Sequence, residues 1–512
     1  MQETISNNKR IAKNTLMLYI RMVLSVVVSL YTSRVVLEVL GVEDYGIYGV
    51  VGGVVAMFSF LNSSMSGATS RFLTYELGQG NSERLKNTFS SAIIIHLAIA
   101  VMVLILAETI GLWFLTHKLV IPDGRMDAAH WVYQCSIFSA MLTITQVPYN
   151  SLIIAHERMG VYAYIEILNV VLKLLIVYLL MICNFDKLKL YAILFLGVTV
   201  VIMLICRVYC IRKFSEARFS LKWKKELALP MLSFTSWDFY GNMCATVRQQ
   251  GNNFLINTFI GVAANASASI AMTVNVIVGG FASNIITAFR PRIIKNYSQK
   301  QWKEMQDMIN SAIKYTLLFF IFLAIPLFFE TSIVLKIWLG NVPQYAESFI
   351  RLILIANGLG VVNTVIVIGI HATGNIKRLS FLTGTFYLLS IPIAYVFLRY
   401  GYSANIVYVV YALSNLVIVG INLWILRQEI AEIRVLQILR EVILVILVAL
   451  LSAGLIYPIY NNLESGLLRL ILITICDLII FPSIAYIISL NSEQRAIVRK
   501  ILSRKFTINN GK

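Results

Sequence analysis

Long apolar runs recur along the whole chain and are separated by short polar segments. Each run extends over about 20 residues or more, the length that a helix needs to cross the hydrocarbon core of a bilayer. Runs of this length are too long for the strands of a membrane barrel. The pattern predicts fourteen spanning helices, near residues 13–40, 46–76, 88–115, 128–154, 160–183, 188–211, 230–260, 264–289, 305–330, 346–372, 378–399, 404–426, 441–460 and 466–490.

Composition agrees with a membrane protein built from helices. Of the 512 residues, 58% are hydrophobic and 13% are charged, whereas charged residues make up about 25% of an average soluble protein. The six cysteines lie almost entirely within predicted spans and show no CxxC or zinc-ligand spacing, so we interpret them as packing residues. We therefore predict an all-α polytopic membrane protein without a metal site.

The distribution of positive charge predicts the orientation in the membrane. The formal net charge is +18, and most of the 43 lysines and arginines lie in alternate connecting segments and in the two terminal segments. Positive residues concentrate on the cytoplasmic side of membrane proteins, so both termini are predicted to be cytoplasmic. Basic clusters beside spans also contact anionic lipid, and we expect no nucleic-acid partner.

A weak internal repeat indicates two related halves. Gly41-Val42 corresponds to Gly261-Val262, and further matches follow at the same offset. A period of six helices predicts two pseudo-symmetric six-helix lobes that can expose a central site to each side in turn. The predicted divisions are an N-lobe over 1–215, a C-lobe over 216–428, and two further helices with a basic cytoplasmic tail over 429–512.

Polar side chains recur at helical spacing inside several predicted spans. In the first span, Arg21 shares one face with two serines and a threonine, whereas Arg34 faces another way and lies near the outer end. The second span carries Asn62, and Arg248 stands near the middle of the seventh. The seventh span also has a polar stripe formed by Asp238, Asn242, Thr246, Gln249, Asn253 and Asn257. Such stripes line helix contacts or a water-filled cavity, and we favour the cavity.

Other charges lie within predicted spans. Lys173 is in the middle of the fifth, with Glu166 seven residues earlier on the same face, and Asp477 is in the appended last pair. Intramembrane charges are functional candidates, but a structural ion pair is the alternative for each. Lys173, Glu166 and Asp238 are the stronger candidates, because Asp477 lies outside the repeat.

Catalytic signatures are missing from the sequence. It contains no phosphate-binding glycine loop and neither HExxH nor GxSxG, and the connecting segments are too short for a soluble catalytic domain. We therefore expect a transporter, driven by an ion gradient, the membrane potential or consumption of its substrate.

One stretch resembles a known family. The pattern Arg34, Leu40-Gly41 and Tyr45-Gly46-Ile47-Tyr48 resembles the polysaccharide transporter branch of the multidrug/oligosaccharidyl-lipid/polysaccharide (MOP) exporter superfamily. The continuation SRFLTYELGQGNSERLKNTFSSA is similar to bacterial O-antigen and capsule flippases of that branch. The resemblance implies a MATE/MOP-like fold.

The resemblance also implies a function. Members of this branch move undecaprenyl-pyrophosphate-linked oligosaccharide units from the cytoplasmic to the periplasmic leaflet of the bacterial inner membrane, by alternating access through a cationic cavity. Arg21 and Arg248 match that cavity, and Arg248 would clamp pyrophosphate. The amides of the stripe would bind sugar hydroxyls, and Trp237 and Tyr240 would stack on sugar rings.

Some relatives couple transport to ions, which implies H⁺ or Na⁺ acting at Asp238 or Glu166, with no other cofactor. The implied partners are the lipid-linked glycan, the bilayer, and a polysaccharide polymerase with other glycan-assembly proteins. The alternatives are a lipid II-type flippase, a MATE-like cation-coupled multidrug exporter and a non-transporting scaffold. The dominance of basic residues and amides favours an anionic cargo over a cationic drug.

Overall fold

The computed structural model describes residues 15–28, 31–32, 35–36, 38–41, 44, 47–48, 51, 59–117, 121, 124–183, 185–218, 224–340, 342–490, 492 and 494–496, without the side chains of 59–64, 262–263 and 265–266. Arg34 and the side chain of Asn62 lie outside this set. The regular secondary structure of the described residues is entirely helical, as predicted.

The described residues form fifteen α-helices. In chain order they are α1 Thr15–Val28, α2 Ser59–Gln79, α3 Ser82–His117, α4 Met126–Ala155, α5 Met159–Ile182, α6 Lys187–Lys213, α7 Lys225–Ile260, α8 Val262–Ser298, α9 Trp302–Phe329, α10 Thr331–Leu339, α11 Ala346–Thr373, α12 Lys377–Arg399, α13 Asn405–Glu429, α14 Val435–Asn462 and α15 Leu467–Ile488.

Eleven helices within the described ranges are long and apolar enough to cross a membrane. They confirm a multi-pass membrane protein. The predicted spans near 46–76 and 230–260 correspond to α2 and α7, which are helical but are not among the eleven. In α7 polar side chains account for this difference, because the stripe lowers the mean hydropathy of the helix. Of the span near 46–76 the structure describes mainly the second half, from Ser59 onward.

The described chain forms two compact units. The first unit comprises Met1–Met243, Thr287–Gln301 and His371–Phe381, and the second comprises Cys244–Ile286, Trp302–Ile370 and Leu382–Lys512. The division runs through α7, α8 and α12 and close to the end of α11. The lobe boundary near residue 215, which rests on the repeat, stays a prediction.

The core of the first unit forms where α4 packs against α2, α3 and α6. Phe89 and Leu152 are fully buried there, with Cys206 beside them. Within α3, residues Ala107–Gly111 form a π-turn, which disturbs the regular backbone hydrogen bonding. The buried hydroxyl of Tyr133 donates to the Ala107 carbonyl at 2.7 Å and so satisfies a backbone group inside the apolar core.

Three charged side chains hold connecting segments of the first unit together. Arg125 pairs with Asp44 and, through Nη1 at 2.8 Å, with Asp186. Asp186 also caps α6 by accepting from the backbone N–H groups of Leu188 and Lys189. Partial burial acts to raise the pKa of Asp186, but these donors outweigh it and hold the pKa below its ordinary value.

The second unit contains a group of three packed helices, α9, α14 and α15. Lys314 of α9 pairs with Glu441 of α14 at 2.8 Å. Glu330, which is 0% exposed, accepts two hydrogen bonds from Arg469 of α15, at 2.6 and 3.2 Å. Arg469 also donates to the carbonyls of Tyr460 and Leu463, where α14 ends. Lys314 and Arg469 thus each have a partner of opposite sign.

Glu330→Ala should destabilise the protein by about 3–5 kcal/mol, because it leaves the charge of Arg469 buried without a counter-ion. The measurement is the thermal unfolding midpoint of the purified protein in detergent. Glu347→Ala is the matched control, since Glu347 pairs with Arg351 while 37% and 30% of the two side chains remain exposed. The control should cost less than about 1 kcal/mol. Equal shifts for both variants would contradict the role given to the buried pair.

Candidate functional site

Polar and charged side chains come together inside the first unit, on helices that otherwise present apolar residues. The guanidinium of Arg21 on α1 lies over the ring of Tyr162 on α5, at 5.4 Å from its centroid. Glu166 follows one turn after Tyr162 on α5. Lys173, two turns further on, holds its ammonium 4.9 Å from the ring centroid of Phe195 on α6. The structure therefore brings together three residues that the sequence singled out, Arg21, Glu166 and Lys173.

Arg207 on α6 adds a further cation to the same unit. Its Nη2 donates to Thr145 Oγ1 at 2.8 Å, and its guanidinium lies 5.3 Å from the ring centroid of Tyr149. Arg207 and Glu166 both lie close enough to the Cys206 thiol to act on it electrostatically. We call Arg21, Tyr162, Glu166, Lys173 and Arg207 the N-terminal polar cluster. It carries three positive charges and one negative charge, a balance that favours an anion.

The polar stripe of α7 is largely open along that helix. Asn242 and Gln249 are exposed, and Asn253 is half-buried. The amide of Asn253 donates to Gln250 at 3.4 Å. Each amide group offers two donors and an acceptor for hydrogen bonds. Polar residues therefore recur along one face of α7.

Two aromatic side chains lie on the opposite side of α7 from the stripe. At 100° per residue, Trp237 and Tyr240 stand about 150° around the helix from the centre of the stripe. The rings of Trp237 and Tyr240 meet edge to face with their centroids 6.2 Å apart. The ammonium of Lys377 lies 5.5 Å from the ring centroid of Trp237. Both aromatic residues are half-buried. An aromatic surface of this kind is chemically suited to the apolar ring face of a sugar.

Arg248 occupies a different setting, inside the second unit. Its guanidinium lies between the rings of Tyr387 and Tyr411, 4.0 and 4.3 Å from their centroids. Its Nη1 donates to Asn415 Oδ1 at 3.1 Å, and the Asn415 amide donates to the Ala356 carbonyl. Only 6% of Arg248 is exposed. The residue links α7 to α12 and α13, while its predicted contact with cargo stays a prediction.

Asp238 belongs to a second charged cluster of the first unit, formed where α2, α7, α8 and α11 approach one another. Its Oδ1 lies 3.6 Å from His371 Nε2, and its Oδ2 accepts from the Asn242 amide at 3.2 Å. Arg290 of α8 lies near the same carboxylate. Arg71 of α2 donates through Nε and Nη2 to the Ala372 carbonyl, at 3.3 and 2.8 Å. We call Arg71, Asp238, Arg290 and His371 the junction cluster.

Glycines allow the close approach around the junction cluster. A Cβ on Gly67 would lie 3.6 Å from Arg290 Nη2 and 3.7 Å from Asp238 Oδ2. Gly374, with a φ of +82°, turns the chain directly after α11, and a Cβ there would lie 2.7 Å from Arg71 Nη2. At Gly78, where α2 meets the end of α8, a Cβ would collide with the side chain of Ser298.

Further polar contacts join the same helix ends. Gln79 donates to the Ser298 carbonyl, and Gln299 donates to the Gly78 carbonyl at 3.1 Å. Arg292 binds Glu157 Oε2 through Nε and Nη2, both at 3.2 Å. Residues of the predicted C-lobe are therefore tied, within the first unit, to residues of the predicted N-lobe.

Several of these residues were missed by sequence reasoning. Arg207, Arg290 and His371 lie near the ends of long spans. Charged residues are common there, so these three were not selected as site candidates. A usable signal existed for Arg207, because five residues separate it from the interfacial pair Arg212 and Lys213, so it stands about 7.5 Å deeper along the helix. No local signal connects Arg71 with Ala372, which are 301 residues apart.

The fold is shared with solved membrane transporters. An outward-facing multidrug resistance MATE family transporter of the MOP superfamily matches with a TM-score of 0.69 over 83% of this chain and 96% of that chain, at 16% identity. A MATE mutant matches with a TM-score of 0.70, at the same identity and coverage. A MOP superfamily transporter from Pyrococcus furiosus matches with a TM-score of 0.69 over 83% of this chain and 96% of that chain, at 16% identity. For that transporter, a reverse polarity of the binding pocket suggests a different function. The chain therefore has the MATE-like fold of membrane transporters, as predicted.

The sequence defines the family more narrowly. Residues 9–297, more than half of the chain, match the family model described as polysaccharide biosynthesis protein. The chain belongs to this polysaccharide biosynthesis family, which confirms the resemblance seen in its first helices. No curated protein matches it significantly.

Gly374→Ala should destabilise the protein for two separable reasons. The left-handed backbone conformation costs about 1–2 kcal/mol for a residue with a Cβ, and the new methyl group would displace Arg71 from the Ala372 carbonyl. Thermal unfolding in detergent measures the total. Gly401→Ala controls for the backbone cost, since Gly401 has a φ of +86° and no atom within 4 Å of an added Cβ.

The steric contribution should disappear when Arg71 is removed. In an Arg71→Ala background, Gly374→Ala should cost only as much as Gly401→Ala does in the wild type. An unchanged cost of Gly374→Ala in the two backgrounds would show that Arg71 and Gly374 do not interact.

Proposed function

We propose that this protein is a flippase for undecaprenyl-pyrophosphate-linked oligosaccharide units of an O-antigen, capsule or exopolysaccharide. It moves them from the cytoplasmic to the periplasmic leaflet of the bacterial inner membrane, with both of its own termini in the cytoplasm. The observation that carries the proposal is the N-terminal polar cluster, an excess of positive charge on membrane-embedded helices of a polysaccharide biosynthesis family member.

The N-terminal polar cluster supplies what a pyrophosphate group requires. Arg21 and Arg207 offer planar guanidinium groups, which bind phosphate oxygens in a bidentate manner. Lys173 adds a point charge, and the single carboxylate of Glu166 leaves the site with a net positive charge. In a site shielded from bulk water, this excess attracts an anion more strongly than it would in solution.

The glycan portion of the cargo is matched by the polar face of α7. Its exposed amides bind sugar hydroxyls, and Trp237 and Tyr240 stack on sugar rings. Arg248 is a cargo-binding residue by its match to the family pattern. In the described conformation its guanidinium stacks between the rings of Tyr387 and Tyr411. Contact with cargo would require this guanidinium to leave the two rings.

Alternating access requires contacts that close the cargo site on one side of the membrane and can separate again. The junction cluster and the contacts of Gly78 and Gln79 meet this requirement, because they join helix ends that belong to different predicted lobes. By the distribution of positive charge, these helix ends are cytoplasmic. Their separation opens the cargo site to the cytoplasm, and their closure accompanies release on the periplasmic side.

Coupling to an ion gradient has a place in the same scheme. Asp238 contacts both His371 and Asn242, so binding of H⁺ or Na⁺ at its carboxylate changes the contacts that hold the closure. Glu166 is the alternative coupling group, inside the N-terminal polar cluster. The protein acts as a transporter and not as an enzyme, beside the polymerase that consumes the flipped units.

Deletion of the gene tests the cargo directly. Surface polysaccharide should be lost, and undecaprenyl-linked units should accumulate on the cytoplasmic side of the inner membrane. Intact surface polysaccharide without such accumulation would refute the proposal. Accumulation of lipid II with normal surface polysaccharide would favour the lipid II-type flippase, and hypersensitivity to cationic drugs alone would favour the multidrug exporter.

Arg207→Ala should reduce export in the complemented deletion strain. Each charge-assisted hydrogen bond to phosphate contributes about 1.5–3 kcal/mol, so losing one weakens cargo binding roughly tenfold to a hundredfold. Arg212→Ala is the matched control, because Arg212 is an exposed residue in the last turn of the same helix. Surface polysaccharide is quantified against the amount of each variant in the membrane. Equal export by the two variants would exclude Arg207 from the cargo site.

A further inference from the structure

The group of helices α9, α14 and α15 contains a carboxyl group that the proposed mechanism does not use. Asp477 of α15 is 1% exposed, and neither of its carboxylate oxygens has a hydrogen-bond partner among the described residues. Ile473 and Phe481 lie one turn before and after it on the same face, and both belong to the apolar core of this group. The carboxyl group is thus enclosed by hydrocarbon.

A hydroxyl group lies at the same level on the neighbouring helix. Helices α14 and α15 are antiparallel, Ser452 precedes Leu463 by eleven residues, and Asp477 follows Gly466 by eleven residues. Ser452 is 0% exposed, and within the described structure its hydroxyl has no partner either. Two buried polar side chains therefore stand at one depth of the helix pair, each without a hydrogen bond.

The charged groups of the helices packed against α15 are too far away, or too well paired, to neutralise Asp477. Arg469 binds Glu330 and lies eight residues before Asp477 on α15, which is about 12 Å along a helix. Glu441 binds Lys314 and lies eleven residues before Ser452, about 16 Å away by the same rise. Nearer to that end of α9 and α14 lie the remaining charged residues Lys303, Glu304, Asp307 and Arg440.

The other titratable side chains on these three helices are four tyrosines and one cysteine. They are Tyr315, Tyr457, Tyr460, Cys476 and Tyr486.

A carboxyl group in this setting takes up a proton. An ionised carboxylate buried without a partner is so unfavourable that the group becomes neutral instead. A hard cation would need several oxygen ligands, and the described residues contain no group of three or more His, Cys, Asp or Glu side chains that could hold a metal ion.

We propose that Asp477 is a proton-binding site, distinct from Asp238 and Glu166, and that its proton is exchanged during the transport cycle. The second half of this statement rests on the proposed function. Each of the three helices contains a proline, namely Pro326, Pro458 and Pro482. Proline removes one backbone hydrogen bond and permits a kink, so bending at these positions can admit water to the carboxyl group and release the proton.

Infrared spectroscopy of the protein in lipid vesicles tests the bound proton without any cargo. At neutral pH the wild type should show the carbonyl stretch of a protonated carboxylic acid, sensitive to D₂O, which Asp477→Asn removes. Glu347→Gln should leave it unchanged, since Glu347 is the salt-bridge partner of Arg351. Raising the pH should abolish the band reversibly. If Asp477→Asn leaves the neutral-pH spectrum unchanged, Asp477 is ionised and the proposal is wrong.

Export by Asp477→Leu tests the exchange. This variant should be at least as thermally stable as the wild type, because leucine suits the apolar core, yet its export should fall to that of the deletion strain. Normal export, or a band that does not respond to pH, would make Asp477 a merely structural neutral acid. The infrared result stands even if the deletion experiment refutes the flippase, so the two failures are distinguishable.

Discussion

The organisation of this protein depends on the cost of placing a charge in hydrocarbon. A charged residue at the centre of a membrane helix costs several kcal/mol unless a partner, water or a bound proton compensates for it. The second unit uses three forms of compensation. Arg469 and Glu330 form a buried ion pair, and Arg248 is held between tyrosine rings and an asparagine. The carboxyl group of Asp477 has no hydrogen-bond partner among the described residues, and its proposed compensation is a bound proton. The first unit adds a fourth form, in which Arg71 binds the Ala372 carbonyl in the last turn of α11.

Some clusters of buried charges balance and others do not, and the clusters with an excess of one sign are the functional candidates. Most ion pairs of the second unit balance their charges and act on stability. The N-terminal polar cluster has three cations for one acid, with aromatic rings beside Arg21, Lys173 and Arg207 that attract a cation without cancelling its charge. An excess of positive charge kept in this way remains available to an anion. The membership of the chain in a polysaccharide biosynthesis family then makes a lipid-linked pyrophosphate the natural anion to propose.

Much of the fold could be predicted because its signal is local. Each apolar run specifies a helix by itself, since a backbone in lipid must satisfy its own hydrogen bonds. The apolar signal was weakest at α7, where the polar stripe reduces it in a helix that still forms. For the sites, Arg21, Glu166 and Lys173 could be selected from the sequence as embedded charges, but Arg207 and Arg290 could not be told from ordinary residues at the end of a span. The contact of Arg71 with Ala372 was beyond any local pattern, because its two sides are 301 residues apart.

The sequence by itself therefore determined the class of protein, the helices and the family. Hydropathy, charge distribution and motifs can be recognised from residues that are close together in the chain. Only the tertiary structure decided which polar residues meet. Arg21 and Arg248 look alike in the sequence, yet one belongs to a cluster with excess charge and the other is enclosed by two rings and an amide. The physical reason is that the energy of a buried charge depends on the few groups within a few ångströms of it, and helix packing alone chooses those groups.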